Sequence, residues 1–155
     1  MKFAAKQDIE APIARVFAAL TDFEMFERAA LRRGADVSRL TEITPPGVGV
    51  SWYAGFVFRG RPRKMRIEVI DFDVPHCLTL SARSATLEGR LFLDLVDLSR
   101  TRTRLSVDLD LQPHTMSGRL LLQSMRLAHA RLTRRFRLRV TEFALDIEDR
   151  HRRRA

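Results

Sequence analysis

An α+β fold, with an antiparallel sheet of about seven strands covered on one face by a long C-terminal helix, follows from three features of the sequence. Residues 36 to 111 alternate apolar and polar side chains, the rhythm of half-buried strands. Beyond Thr115 that rhythm gives way to a run with no proline and, after Gly118, no glycine. As one helix of about 34 residues this run would extend about 50 Å. Two short stretches with helical spacing separate a first strand from the sheet block.

Each element has its own signature. Residues 2 to 10 set Phe3, Ala5 and Ile9 against Lys2, Lys6, Asp8 and Glu10, a first strand. "APIARVFAAL" then places Ile13, Val16, Phe17 and Leu20 at helical spacing behind Pro12, whose missing N–H costs nothing in a first turn. "TDFEMFERAALRR" is a second short helix ending before Gly34, with Thr21 and Glu24 spaced as a capping box or Asp22 capping instead. "DVSRLTEI" is a strand stopped by Pro45-Pro46-Gly47, and "VSWYAGFVF" follows with Val50, Trp52, Ala54, Phe56 and Phe58 on one face. The turn "RGRPR" leads to "KMRIEVIDF", and "DVPH" leads to "CLTLSAR". "TLEGRLFLDLVDL" and "RLSVDLDLQ" complete an antiparallel meander joined by short turns, with Leu105, Val107, Leu109 and Leu111 opposite Arg104, Ser106, Asp108 and Asp110. Residues 1–150 read as a single domain and 151–155, "HRRRA", as a basic disordered tail.

The bulk composition narrows the function classes. The chain has 155 residues, 45% hydrophobic and 30% charged, a globular composition rather than a disordered one. Its formal charge is +9, so an anionic partner has to be weighed. Only Lys2, Lys6 and Lys64 are lysines among 28 basic residues, and such an arginine excess can also reflect genome composition. Cys77 is the single cysteine, which excludes an intrachain disulfide and reads as a small core residue. No apolar run is long enough for a signal peptide or a membrane span, so a soluble cytoplasmic protein is the expectation.

Projected as a helix, the C-terminal run gathers Gly118, Leu122, Met125, His129, Leu132, Phe136, Val140, Phe143 and Ile147 on one stripe. Arg119, Arg126, Arg131, Arg134, Arg135 and Arg137 spread around the opposite side. An amphipathic helix of this kind lies on something apolar, and the sheet offers one apolar face. The succession of elements, with "IEAPIARVFAALTDFEMF" at 9–26, "GVGVSWYAGF" at 47–56 and "VIDFDVPHCLTL" at 69–80, resembles the SRPBCC superfamily, the START, Bet v 1 and polyketide cyclase group. The resemblance implies the helix-grip fold, a curved sheet wrapped around the long terminal helix with a cavity between them. It also implies a small hydrophobic ligand, held as cargo or processed by a cyclase or dehydratase. Wall candidates are the inward strand positions and the helix stripe: Trp52, Phe56, Met65, Ile67, Leu91, Leu93, Val107, Leu109, Met125, His129, Leu132 and Phe136. The same residues could instead fill the space as a solid core.

Chemistry is sparsely signalled. His129 is the one polar residue well inside the stripe, either a ligand anchor or acid/base, or a core histidine bonded to a neighbouring strand. No other catalytic residue stands out. His76, His114, His129 and His151 are too widely separated for a metal site, and no cofactor is expected. Gly47-Val48-Gly49 opens a strand rather than a helix, so it is a turn and not a phosphate cradle. Arg59, Arg61 and Arg63, with Arg100, Arg102 and Arg104, could gather phosphates, but base-stacking aromatics are scarce outside the apolar faces and nucleic acid is not the expected partner. Leu120, Leu127, Leu138 and Leu145 form a sparser second stripe on the outer helix face, a candidate for homodimer contact or for peripheral contact with an anionic membrane.

Overall fold

Alternation and turn chemistry produce the sheet as expected. The computed structural model describes residues 1–41, 43 and 45–154, so the expected strand position Glu42 and the terminal Ala155 lie outside the described residues. The elements run β1 (Lys2–Ile9), α1 (Ile13–Leu20), α2 (Phe23–Arg32), β2 (Asp36–Thr41), β3 (Ser51–Phe58), β4 (Arg61–Asp73), β5 (Cys77–Ser84), β6 (Leu87–Ser99), β7 (Arg102–Pro113), α3 (Met116–Arg126) and α4 (His129–Arg154). One seven-stranded sheet has the order β1-β7-β6-β5-β4-β3-β2, with every neighbouring pair antiparallel. The meander runs from β2 to β7, and β1 pairs with β7, so β1 and β2 form the two edges of the sheet. Arg59 and Gly60, both at positive φ, make the tight β3–β4 hairpin whose twist matches its strands. The register shifts between Val69 and Asp71 in β4 and between Asp97 and Ser99 in β6, irregularities of the kind that bend and twist strands.

The helices close the concave side. Asp22 caps α2, accepting the Met25 N–H at 3.3 Å, while Thr21 instead donates to the Phe17 carbonyl at the end of α1. Ile9, Ala11, Val16, Val50, Val69, Leu78, Leu95 and Leu105 are almost fully buried, and with Ala144 and Ile147 they form a solid core where α1 meets the second half of α4. Thr103, also fully buried, ties this end together by donating to the Ala11 carbonyl at 2.8 Å. No helix among the described residues is long and apolar enough to cross a membrane.

The C-terminal run differs from the single helix its composition predicts. It breaks at Leu127–Ala128 into α3 and a 26-residue α4. Neither a glycine nor a proline marks the break. Gly118 brings the start of α3 so close to the β5–β6 turn that a Cβ there would lie 2.1 Å from the Thr86 carbonyl oxygen. The first half of α4 follows β1 instead, where Arg137 Nε donates to the Ala4 carbonyl at 3.3 Å. The run thus packs on the β5–β6 turn before the break and along β1 after it. The same helix continues through Arg154, so residues 151–154, expected as a frayed tail, are helical.

Candidate functional site

The alternating strands turn a row of apolar side chains toward α2 and α4, and the space they enclose is a cavity of about 810 Å³. Trp52 and Ala54 of β3, Ile67 of β4, Leu78 and Leu80 of β5, Leu91 and Leu93 of β6, and Leu105 and Val107 of β7 make its floor. Phe136, Val140 and Phe143 of α4 form one wall, and Phe23, Met25, Phe26, Glu27 and Ala30 of α2 form the other. Phe23 meets Trp52 edge-on at 5.0 Å between ring centroids, and Phe26 lies 5.6 Å from Phe143 across the gap between the helices. Phe26 is 40% exposed, which places it at the mouth.

Six of the twelve expected wall residues line this space: Trp52, Ile67, Leu91, Leu93, Val107 and Phe136. Phe56, Met65, Leu109, Met125, His129 and Leu132 lie outside the lining. Met65 pairs with Ala54 and Leu109 with Leu91, so the cavity ends within that row of the sheet although the inward parity continues. Met125 is buried on α3, beyond the helix break. His129 opens α4, two turns before Phe136. Its exposed ring stacks on Phe3 at 5.3 Å, with Nε2 3.4 Å from the Lys2 carbonyl. There it covers the free edge of β1 and has no route to the cavity.

A polar group absent from the sequence-based candidates takes a central place. Glu27 accepts from the Trp52 indole at 2.9 Å and from Arg39 Nε at 2.7 Å and its terminal nitrogen at 2.5 Å, all at one oxygen, Oε1. Helical spacing of Phe23, Glu27 and Ala30 puts this carboxylate on the inward face of α2. The rim is charged: Arg32 and Arg33 end α2, while on α4 Arg139 pairs with Glu142 at 3.4 Å and Arg150 with Asp146 at 2.7 Å.

The remaining reactive side chains stand apart from the cavity. Cys77 is half-buried at the start of β5 and donates to Asp94 at 3.4 Å; burial and that bond push its thiol pKa up, away from a reactive thiolate. No cluster of three or more potential metal-ligating side chains exists among the described residues.

A curved antiparallel sheet gripping a long C-terminal helix over an apolar cavity defines the helix-grip class. No family model matches the chain, and no curated protein matches it. Solved structures do. TTHA0849 from Thermus thermophilus superposes with a TM-score of 0.66 at 14% identity, covering 100% of this chain and 99% of that one. The Zhui aromatase/cyclase from Streptomyces sp. R1128 gives 0.66 at 15% identity over 97% and 94%. A START superfamily protein from Mycobacterium smegmatis gives 0.56 at 14% identity over 86% and 95%. At these identities the likeness is one of fold, and the chain has the SRPBCC-type helix-grip fold.

Proposed function

We propose that the protein binds a small lipophilic molecule in the cavity between its sheet, α2 and α4. The observation that carries this reading is an apolar cavity of about 810 Å³ left open beside an otherwise solid core. Its size falls within the roughly 300–1,000 Å³ of small-molecule sites, which pair apolar walls with a few fixed polar groups. Glu27 is such a group. Its Oε1 is occupied by Trp52 and Arg39, whereas Oε2 accepts no hydrogen bond from the described residues. A ligand of about 25 heavy atoms, gaining about 0.3 kcal/mol per atom, would bind in the micromolar range.

The test begins with native mass spectrometry of the purified protein and organic extraction of whatever copurifies. Trp52 is the only tryptophan and lines the cavity, so its emission reports occupancy directly. Binding is expected to shift that emission, to weaken in Ala54→Leu, which narrows the space, and to vanish in Leu93→Arg with the circular dichroism retained. A ligand-free protein whose Trp52 emission ignores lipophilic probes, or a ligand unaffected by both substitutions, rejects the reading. The enzyme alternative, a cyclase or dehydratase in the same cavity, finds some support in the aromatase/cyclase among the structural neighbours. With His129 on Phe3, the carboxylates lining the cavity are Glu27, Glu142 and Asp146, of which Glu27 is the one bonded to Trp52. The two readings part on turnover: a site that only binds returns its ligand unchanged, whereas a catalytic site converts it and loses that conversion in Glu27→Gln while binding persists.

A further inference from the structure

The corner between α3 and α4 presents chemistry that neither the core nor the cavity uses. Leu127 is 92% exposed at its apex, and Leu138, three turns along α4, is 56% exposed. Between and beside them stand Arg126, Arg131, Arg134 and Arg135, all exposed. The ion pairs of α4 are confined to Arg139 and the residues after it, and these four arginines have no carboxylate partner among the described residues. From Leu111 to Thr141 the sequence contains no Asp or Glu and seven arginines. Arg59, at the tip of the β3–β4 hairpin, donates to Ser124 on α3.

We propose that this corner docks the protein on an anionic lipid bilayer, with Leu127 and Leu138 entering the headgroup–acyl boundary and the arginines engaging lipid phosphates. An exposed aliphatic apex ringed by unpaired cations matches the two forces of interfacial binding, apolar burial and attraction to anionic lipid. A second copy of the chain fits poorly, because a two-fold contact here would set the arginine cluster against itself. Nucleic acid would use the charge and leave the leucines unexplained. The α4 aromatics Phe136 and Phe143, which could stack on bases, are committed to the cavity. The proposal stands on the outer surface and does not depend on what the cavity holds.

The experiment is vesicle flotation of the full chain with phosphatidylcholine alone and with phosphatidylcholine–phosphatidylglycerol mixtures. A short single-stranded RNA serves as competitor, and sedimentation velocity runs in parallel. The expected result is binding to the mixed vesicles only, weakened about tenfold in Leu127→Ser. Combined Arg131→Gln, Arg134→Gln and Arg135→Gln should weaken it by about fivefold for each charge lost. Both variants change exposed side chains, and circular dichroism with Trp52 emission verifies that fold and cavity persist. Three outcomes overturn the proposal: vesicle binding indifferent to Leu127→Ser; RNA binding without vesicle binding; or self-association that Leu127→Ser abolishes while vesicles are ignored. Failure to float with either vesicle overturns it equally.

Discussion

Replacing Glu27 by leucine probes the polar heart of the cavity wall. Three N–H groups converge on its Oε1, one from the Trp52 indole and two from the Arg39 guanidinium, at 2.5 to 2.9 Å. The Glu27 and Arg39 side chains are 25% and 23% exposed, so solvent can replace only part of what is lost. A hydrogen bond to a charged group contributes about 1.5–3 kcal/mol, and a partly screened pair somewhat less. Glu27→Leu strands the indole N–H and the guanidinium together, for an expected loss of about 3 kcal/mol. In a chain of this length that lowers Tm by about 6–10 °C. Glu27→Gln keeps an acceptor oxygen and should cost about 1 kcal/mol. Adding Arg39→Leu to Glu27→Leu removes the stranded charge, so the double variant should be more stable than the sum of the single losses by about 1–2 kcal/mol. Urea unfolding followed by circular dichroism measures the parent, Glu27→Leu, Glu27→Gln, Arg39→Leu and the double variant, because Trp52 emission itself changes with the substitution. A Glu27→Leu protein within about 0.5 kcal/mol of the parent, or strictly additive losses, would refute the triad as a coupled unit.

Three further outcomes test other parts of the structure. Gly118→Ala gains about 1 kcal/mol in an ordinary helix. Here the new Cβ would lie 2.1 Å from the Thr86 oxygen, so a net loss of about 1–3 kcal/mol is expected in urea titration, and a gain would disprove the close approach. The hydrogen bond from Arg104, at 2.8 Å, holds the Asp8 carboxyl below its ordinary pKa. The folded-state pKa is the lower one, so this contribution is present at neutral pH and lost on acidification. The Tm gap between the parent and Asp8→Asn should therefore be wide at about pH 7 and narrow at about pH 2.5; a gap that widens in acid contradicts the pairing. Cys77, with its thiol pKa raised, should alkylate with iodoacetamide several-fold more slowly in the folded protein than in urea, as read by mass spectrometry.

The strands were legible because each carries its own period, and β7 shows how directly that works. Leu105 and Val107 turn inward and are buried, while Arg104 and Asp108 are exposed. Parity, however, says which face a side chain takes and nothing about how far along the strand a cavity extends. That is why Leu91 lines the space while its partner Leu109 does not. The break at Leu127–Ala128 left no local mark either. The contacts on either side of it are with residues distant in sequence, Gly118 against the Thr86 carbonyl and Arg137 on the Ala4 carbonyl. The α2 wall went unread for a different reason: Glu27 looks like one more solvated charge on a short amphipathic helix. Its spacing from Phe23 and Ala30 was the available signal, since a carboxylate sharing the apolar face needs a partner there.

The abundance of arginine resolves into different tasks once α4 is viewed side by side with its neighbours. As the sheet's free edge, β1 exposes carbonyls that could recruit another strand. Those of Lys2 and Ala4 are covered by His129 and Arg137, Gln7 receives Thr141, and the Glu10 N–H finds Glu148. The helix thus runs parallel to β1 and seals its edge along one side. A second side turns Phe136, Val140 and Phe143 to the cavity, with Arg139 and Arg150 at its rim. Only the side left over carries Arg131, Arg134 and Arg135 together with Leu138. Arginines that merely solvated this helix would be expected to find acidic partners at three- or four-residue spacing, as Arg150 and Arg153 do in its last turns. The first half of α4 has no acidic residue to offer them, so charge accumulates there without internal compensation, beside the most exposed leucine of the chain.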